Sequence, residues 1–147
     1  MSSDLSESPF PIATVGALIL NHRDEVLLLK THKWSDRWGI PGGKIKRGET
    51  CEEALRREIR EETSLELERI RFVMVQDCIE PPEFERSAHF LLLNYIGHCD
   101  SETPEVKLND EAEAFCWLPW DEAFAMDLNI PTRILMEEIA AHQSQKL

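Results

Sequence analysis

Apolar residues dominate positions 13–20, give way to the polar stretch Asn21-His22-Arg23-Asp24-Glu25, and resume at 26–29. That pattern predicts a hairpin of two buried strands. Residues 31–39 read as a loop carrying Trp34 and Trp38, and Pro41-Gly42-Gly43 predicts a break in regular structure. Thr50 followed three residues later by Glu53 is a capping-box signal, and no Gly or Pro interrupts the stretch to Thr63, so a helix is predicted over 50–63. Residues 70–75 and 88–96 read as strands separated by a loop with Pro81-Pro82, and 114–118 as a further short strand. A short helix at 121–126 and a final one, opened by Pro131 and ending near 141, complete the pattern. Strands and helices interleave without repeats or low-complexity segments. They predict one layered α/β (α+β) domain over residues 12–147, after a flexible lead-in at 1–11.

Composition narrows the class. The 147 residues are 42% hydrophobic and 30% charged, as in globular proteins, and contain no apolar run long enough for a membrane span. The start of the chain is without the basic leader of a secretory signal. Cys51, Cys78, Cys99 and Cys116 are widely spaced with no C-x-x-C pair, which predicts reduced thiols and a cytoplasmic location. A net charge of −12 argues against a nucleic-acid polymer as partner. The charge is uneven: residues 1–48 carry +2, residues 49–68 carry −5, and the remainder −9.

The acidic stretch carries the chemistry. On a helix starting near Thr50, Glu58, Glu61 and Glu62 are i, i+3 and i+4 neighbours bordering the apolar side formed by Ala54, Leu55 and Ile59. Like charges so spaced destabilise a helix by a few tenths of a kcal/mol per pair, roughly. A hard divalent cation removes that conflict; Arg56, Arg57 and Arg60 as surface ion-pair partners are the alternative. Upstream, Gly42-Gly43 permits close backbone approach, and Lys44, Lys46 and Arg47 would welcome phosphate.

The run from Gly43 through Glu49, Arg57-Glu58-Ile59, Glu61-Glu62 and Ser64 to Leu65 closely resembles the Nudix box, with Ser64 standing where the pattern has its second glycine. The Trp38-Gly39-Ile40-Pro41-Gly42-Gly43 entry and the Phe115-Cys116-Trp117-Leu118-Pro119 stretch are also similar to the family, extending the resemblance over residues 12–141. The resemblance implies an α/β/α sandwich with a mixed sheet. It also implies a hydrolase that cleaves the diphosphate linkage of a small nucleotide, either a nucleoside triphosphate or a derivative such as ADP-ribose. By analogy, Glu58, Glu61, Glu62 and a carbonyl of Gly42 or Gly43 would hold Mg²⁺ or Mn²⁺. Arg57 would orient a carboxylate, Glu49 would act through a hydrogen bond or outer water, and Glu58, Glu62 or a downstream acid would take the proton. The family pattern also places a carboxylate shortly before a tryptophan, which leaves Glu111 and Glu113 as candidates. Ser64 would sit at a left-handed helix terminus at a cost of about 1 kcal/mol.

Among weaker candidates, Trp34 stacks on a base or packs in the loop, while Trp38 reads as packing. Lys33, Lys44 and Arg37 are phosphate-contact candidates, and Arg133 reads as a helix-start ion-pair residue. The five histidines show no ligand spacing. Pro81 lies near where the ADP-ribose-cleaving branch tends to carry a proline. The resemblance implies a small nucleotide as partner, and the expectation is no membrane and no nucleic-acid polymer, with the protein a monomer or homodimer. The rival function is a nucleotide sensor of the same fold that does not hydrolyse.

Overall fold

A computed structural model describes residues 9–101 and 104–145, with side chains described through residue 142. Residues 1–8, most of the expected lead-in, lie outside the described residues. The elements are β1 (Ile12–Asn21), β2 (Val26–Thr31), a 3₁₀ turn (His32–Trp34), β3 (Arg37–Gly39), β4 (Gly42–Lys44), α1 (Cys51–Thr63), β5 (Glu68–Ile79), β6 (His89–Cys99), β7 (Ala114–Leu118), α2 (Trp120–Phe124) and α3 (Ile130–Gln145). One mixed sheet runs β3-β2-β1-β6-β5, with β4 also paired to β1 and β7 to β2. β1 and β6 are parallel over ten residues, from Ile12↔Phe90 to Asn21↔Cys99. The predicted hairpin forms at Leu20↔Val26, while most of β1 bonds to β6 and β4 instead.

Alternation along β1 builds the two layers. Val15, Ala17 and Ile19 face α1, where they pack on Ala54, Leu55 and Ile59. Leu18 points the other way, into a second core with Leu135, Met136 and Ile139 of α3. The result is the expected α/β/α sandwich. Among the described residues β5 closes one end of the sheet, bonded to β6 alone, with Phe72, Val75 and Ile79 exposed along it.

The expected break at Pro41-Gly42-Gly43 is present at Pro41, but Gly42 and Gly43 open a short strand, Gly42–Lys44, which corrects the reading from residue type alone. Thr14, Val15 and Gly16 pair with Lys44, Gly43 and Gly42. The glycines are needed for closeness: a Cβ on Gly42 would sit 2.1 Å from the Val15 carbonyl oxygen, and one on Gly43 2.2 Å from a Glu58 carboxylate oxygen. β3 is the other short strand missing from the expectation, paired to Lys30 and its neighbours.

The helix signals resolve cleanly. Thr50 caps α1, its hydroxyl accepting from Glu53 N–H at 3.1 Å while the Glu53 carboxylate accepts from Thr50 N–H at 2.8 Å. A cap of this kind contributes about 1 kcal/mol. Ser64 ends the helix at φ 66°, the left-handed conformation expected of the glycine it replaces. α3 begins one residue before Pro131, and Asn129 caps it by accepting from Thr132 N–H at 3.0 Å.

Candidate active site

α1 presents its carboxylates at three depths. Glu61 is exposed, and Arg57 Nη1 donates to it at 3.2 Å. Glu58 is half-buried and Glu62 is buried, because the stripe of Ala54, Leu55 and Ile59 that docks the helix draws its flank under the sheet edge. The Gly42 N–H donates to Glu62 Oε1 at a long 3.3 Å. Glu58 Oε2 and Glu62 Oε2 are buried without a hydrogen-bond partner. Burial, reinforced by the negative charges of Glu111 and Glu58, pushes the Glu62 carboxyl up to about 9. Glu58 is raised as well, by burial first, with the neighbouring Arg57 opposing and Glu111 adding.

Glu49 and Arg57 are the opposite case. Arg57 Nε and Nη2 donate to the two Glu49 oxygens at 2.5 and 2.9 Å, and Nη2 also donates to the Lys44 carbonyl at 3.0 Å. These bonds tie the helix, the loop before it and β4 together. The Arg57 hydrogen bond and the Lys46 N–H hold the Glu49 carboxyl down at about 2.

The downstream acids separate. Glu111 lines the cleft beside Glu62, with Lys33 Nζ at 3.8 Å. Glu113 faces Lys30 at 3.8 Å and His32 at 3.3 Å and does not line the cleft. With Asp36 on the other ring nitrogen, His32 and Glu113 form an exposed cluster. One imidazole cannot turn both nitrogens to the same ion, so this is a surface cluster of two carboxylates on opposite sides of one ring.

From the carboxylates a cleft of about 270 Å³ runs across the sheet to the N-terminal end of α3. Lys33, Lys44, Gly42, Gly43 and Trp34 line it, along with Phe84 and Phe90. Trp34 packs on Phe84 with ring centroids 4.7 Å apart, and Phe84 meets Phe90 edge-on at 5.1 Å. Trp34 therefore both packs and faces the cleft. Arg37 does not line it; its guanidinium pairs with the buried Glu83 at 3.2 Å. Trp38 packs in the α3-side core. Arg133 donates to the Phe124 and Met126 carbonyls at 3.2 and 3.1 Å, a structural role joining α2 to α3.

Gln76, Glu83, Asn94 and Asn129 escaped the sequence reading, although all four are buried polar residues at or near this cleft. Asn94 did leave a trace, as the one amide inside the apolar run of β6.

These features are those of a known family. The NUDIX domain model matches residues 11–139. The nucleoside triphosphatase NudI of Escherichia coli K12 is 37% identical over 101 residues, covering 66% of this chain and 72% of that protein. A MutT NUDIX hydrolase from Burkholderia pseudomallei is similar in structure, with a TM-score of 0.73 at 30% identity over 88% of this chain and 98% of that one. The NUDIX domain of Shewanella oneidensis NrtR, solved with ADP ribose, shares the fold with a TM-score of 0.72 at 19% identity over 95% of this chain and 93% of that one. The chain belongs to the Nudix hydrolase family, enzymes that act on phosphoric anhydride bonds.

Proposed function

We propose that the protein is a divalent-cation-dependent pyrophosphohydrolase of small nucleotides, with nucleoside triphosphates as its first substrate class. The observation that carries this reading is the pair of buried, unpartnered oxygens, Glu58 Oε2 and Glu62 Oε2, beside Gly43 and Glu111. Buried carboxylates without donors are costly, and a hard cation is the partner their chemistry suits. Glu58, Glu62 and the Gly43 carbonyl would hold Mg²⁺ or Mn²⁺, with Glu61 and Glu111 as further candidate ligands. The chemistry a bound cation supplies is neutralisation of phosphate charge and acidification of water.

The rest falls to the chain itself. Arg57 fixes the distance between the α1 carboxylates and β4 through Glu49 and the Lys44 carbonyl. Lys33 and Lys44 bring positive charge to the same end of the cleft, where a polyphosphate would lie. Glu58, Glu62 and a downstream acid such as Glu111 are the candidates to accept the proton from attacking water once a cation holds the α1 carboxyls in their ionised form. The triphosphate preference rests on the likeness to NudI; ADP-ribose is the second substrate to try. A cytoplasmic location belongs to the same reading, supported by four free cysteines.

The test is a nucleotide panel assayed with Mg²⁺ and with Mn²⁺, products identified. Cation-dependent release from a nucleoside triphosphate or from ADP-ribose is the expected result. Binding without release from any diphosphate compound would assign the protein to nucleotide sensing instead.

A further inference from the structure

The far end of the cleft carries side-chain amides whose orientation their neighbours dictate. Gln76 Nε2 lies 2.8 Å from the Pro131 carbonyl oxygen, which can only accept, so this end of Gln76 is its NH₂ group. The same nitrogen lies 2.9 Å from Asn94, and a donor there must meet an acceptor, which makes that atom Asn94 Oδ1. The free group of Asn94, a residue lining the cleft, is therefore its NH₂. Asn129 is oriented independently: its Oδ1 is taken by the Thr132 N–H, and its Nδ2 stands against Gly39, 2.3 Å from where a Cβ would be. Both amides spend their oxygen on the protein and keep donors for the cleft. The Trp34, Phe84 and Phe90 rings line the same cleft, surroundings suited to a flat heterocycle.

Building on the pyrophosphohydrolase reading, we infer that this end of the cleft is a nucleobase subsite that selects oxo bases. Guanine, uracil and thymine present carbonyl oxygens to the amide donors. Adenine and cytosine present an exocyclic amino group there, which sets donor against donor and leaves both without a partner in a buried site. Asn94 is the specificity-determining residue, and Gln76 is a positioning residue that stops the Asn94 amide from turning over.

The experiment compares kcat/KM for GTP against ATP and for UTP against CTP, in the native protein and in Asn94→Leu. The native protein should favour the oxo partner of each pair by at least about tenfold, the scale of one buried hydrogen bond. Asn94→Leu should bring both ratios close to one. In parallel, calorimetric binding of GMP against AMP and of UMP against CMP to the native protein should show the same order. Equal kcat/KM within the pairs, or ratios unmoved by Asn94→Leu, overturns the inference. If no nucleotide is hydrolysed the enzymatic reading fails, and calorimetry then decides the subsite alone. Tighter binding of GMP and UMP supports it, and equal or absent binding overturns it.

Discussion

Glu62 and Glu83 are buried almost equally, at 5% and 6% exposure, yet their surroundings are opposite. Glu83 Oε1 accepts from the Ile130 N–H at 2.6 Å, at the start of α3, and the Arg37 guanidinium faces its other oxygen at 3.2 Å. Glu62 has one long hydrogen bond and a second oxygen with none, and the two carboxylates near it, Glu111 and Glu58, outweigh the opposing charge of Lys33. Glu83 is a structural acid whose environment welcomes its charge; Glu62 is held where its charge is unwelcome. Burial alone does not mark a functional carboxylate. Glu62 Oε2 and Glu83 Oε2 are both buried without a hydrogen bond, and what separates them is the charge nearby: a guanidinium at 3.2 Å for Glu83, two crowding carboxylates for Glu62.

The largest expected effect is on turnover. Glu62→Gln should lower kcat by about three orders of magnitude in saturating Mg²⁺ while circular dichroism shows an intact fold, since loss of a metal-holding carboxylate removes most of the charge stabilisation. Hydrolysis close to the native rate would make Glu62 a structural acid like Glu83. The same two proteins sharpen it through pH. Glu62 titrates near 9 when folded and at about 4.5 when unfolded. Between those values the folded protein holds a proton the unfolded chain has released, so stability falls as pH rises across that window. In EDTA, the native protein should lose stability from pH 5 to 9 relative to Glu62→Gln, as followed by urea denaturation. Added Mg²⁺ should restore the native protein and affect the variant less.

Glu83→Gln tests the other side. It weakens the Arg37 pair and the hydrogen bond to the α3 terminus, and should cost about 1–3 kcal/mol in urea denaturation with far less loss of kcat than Glu62→Gln. A large loss of kcat at unchanged stability would make Glu83 a functional acid after all. The smallest effect belongs to Ser64→Gly. Relief of a left-handed φ of 66° should raise stability by up to about 1 kcal/mol, offset in part by the greater freedom of glycine when unfolded, with kcat unchanged.

The phosphate end of the site was legible in the chain because its residues are close in sequence and follow a helical period. Glu58, Glu62, Arg57 and Gly43 come together through one helix and the segment before it. Which of Glu111 and Glu113 faces the cleft was not legible, since two residues along an irregular segment can face opposite ways; pairing with Lys30 turns Glu113 aside and leaves Glu111 at the cleft. The base end was hidden for a different reason. Gln76, Asn94 and Pro131 are on three separate elements, and only the β5–β6 register and the docking of α3 bring them together. β3 and β4 were missed because a three-residue strand leaves no period to detect, and glycine reads as a break where the fold uses it for close approach.

The open edge at β5 has a colloidal consequence. Among the described residues this twelve-residue strand pairs on one side only and, with Ile79 at 64% and Val75 at 50% exposure, forms a template on which another strand can grow. A charge of −12 makes every copy of the chain repel every other, over a range of about 8 Å at physiological salt. Much of that charge lies in the C-terminal half, where Glu85 and Glu111 are the acidic side chains lining the cleft among the described residues. Sedimentation velocity should therefore show the protein shifting to larger species as pH approaches 4.8, where the chain has no net charge. At pH 8 the same protein should remain dispersed, its acidity acting as a guard against its own neighbours.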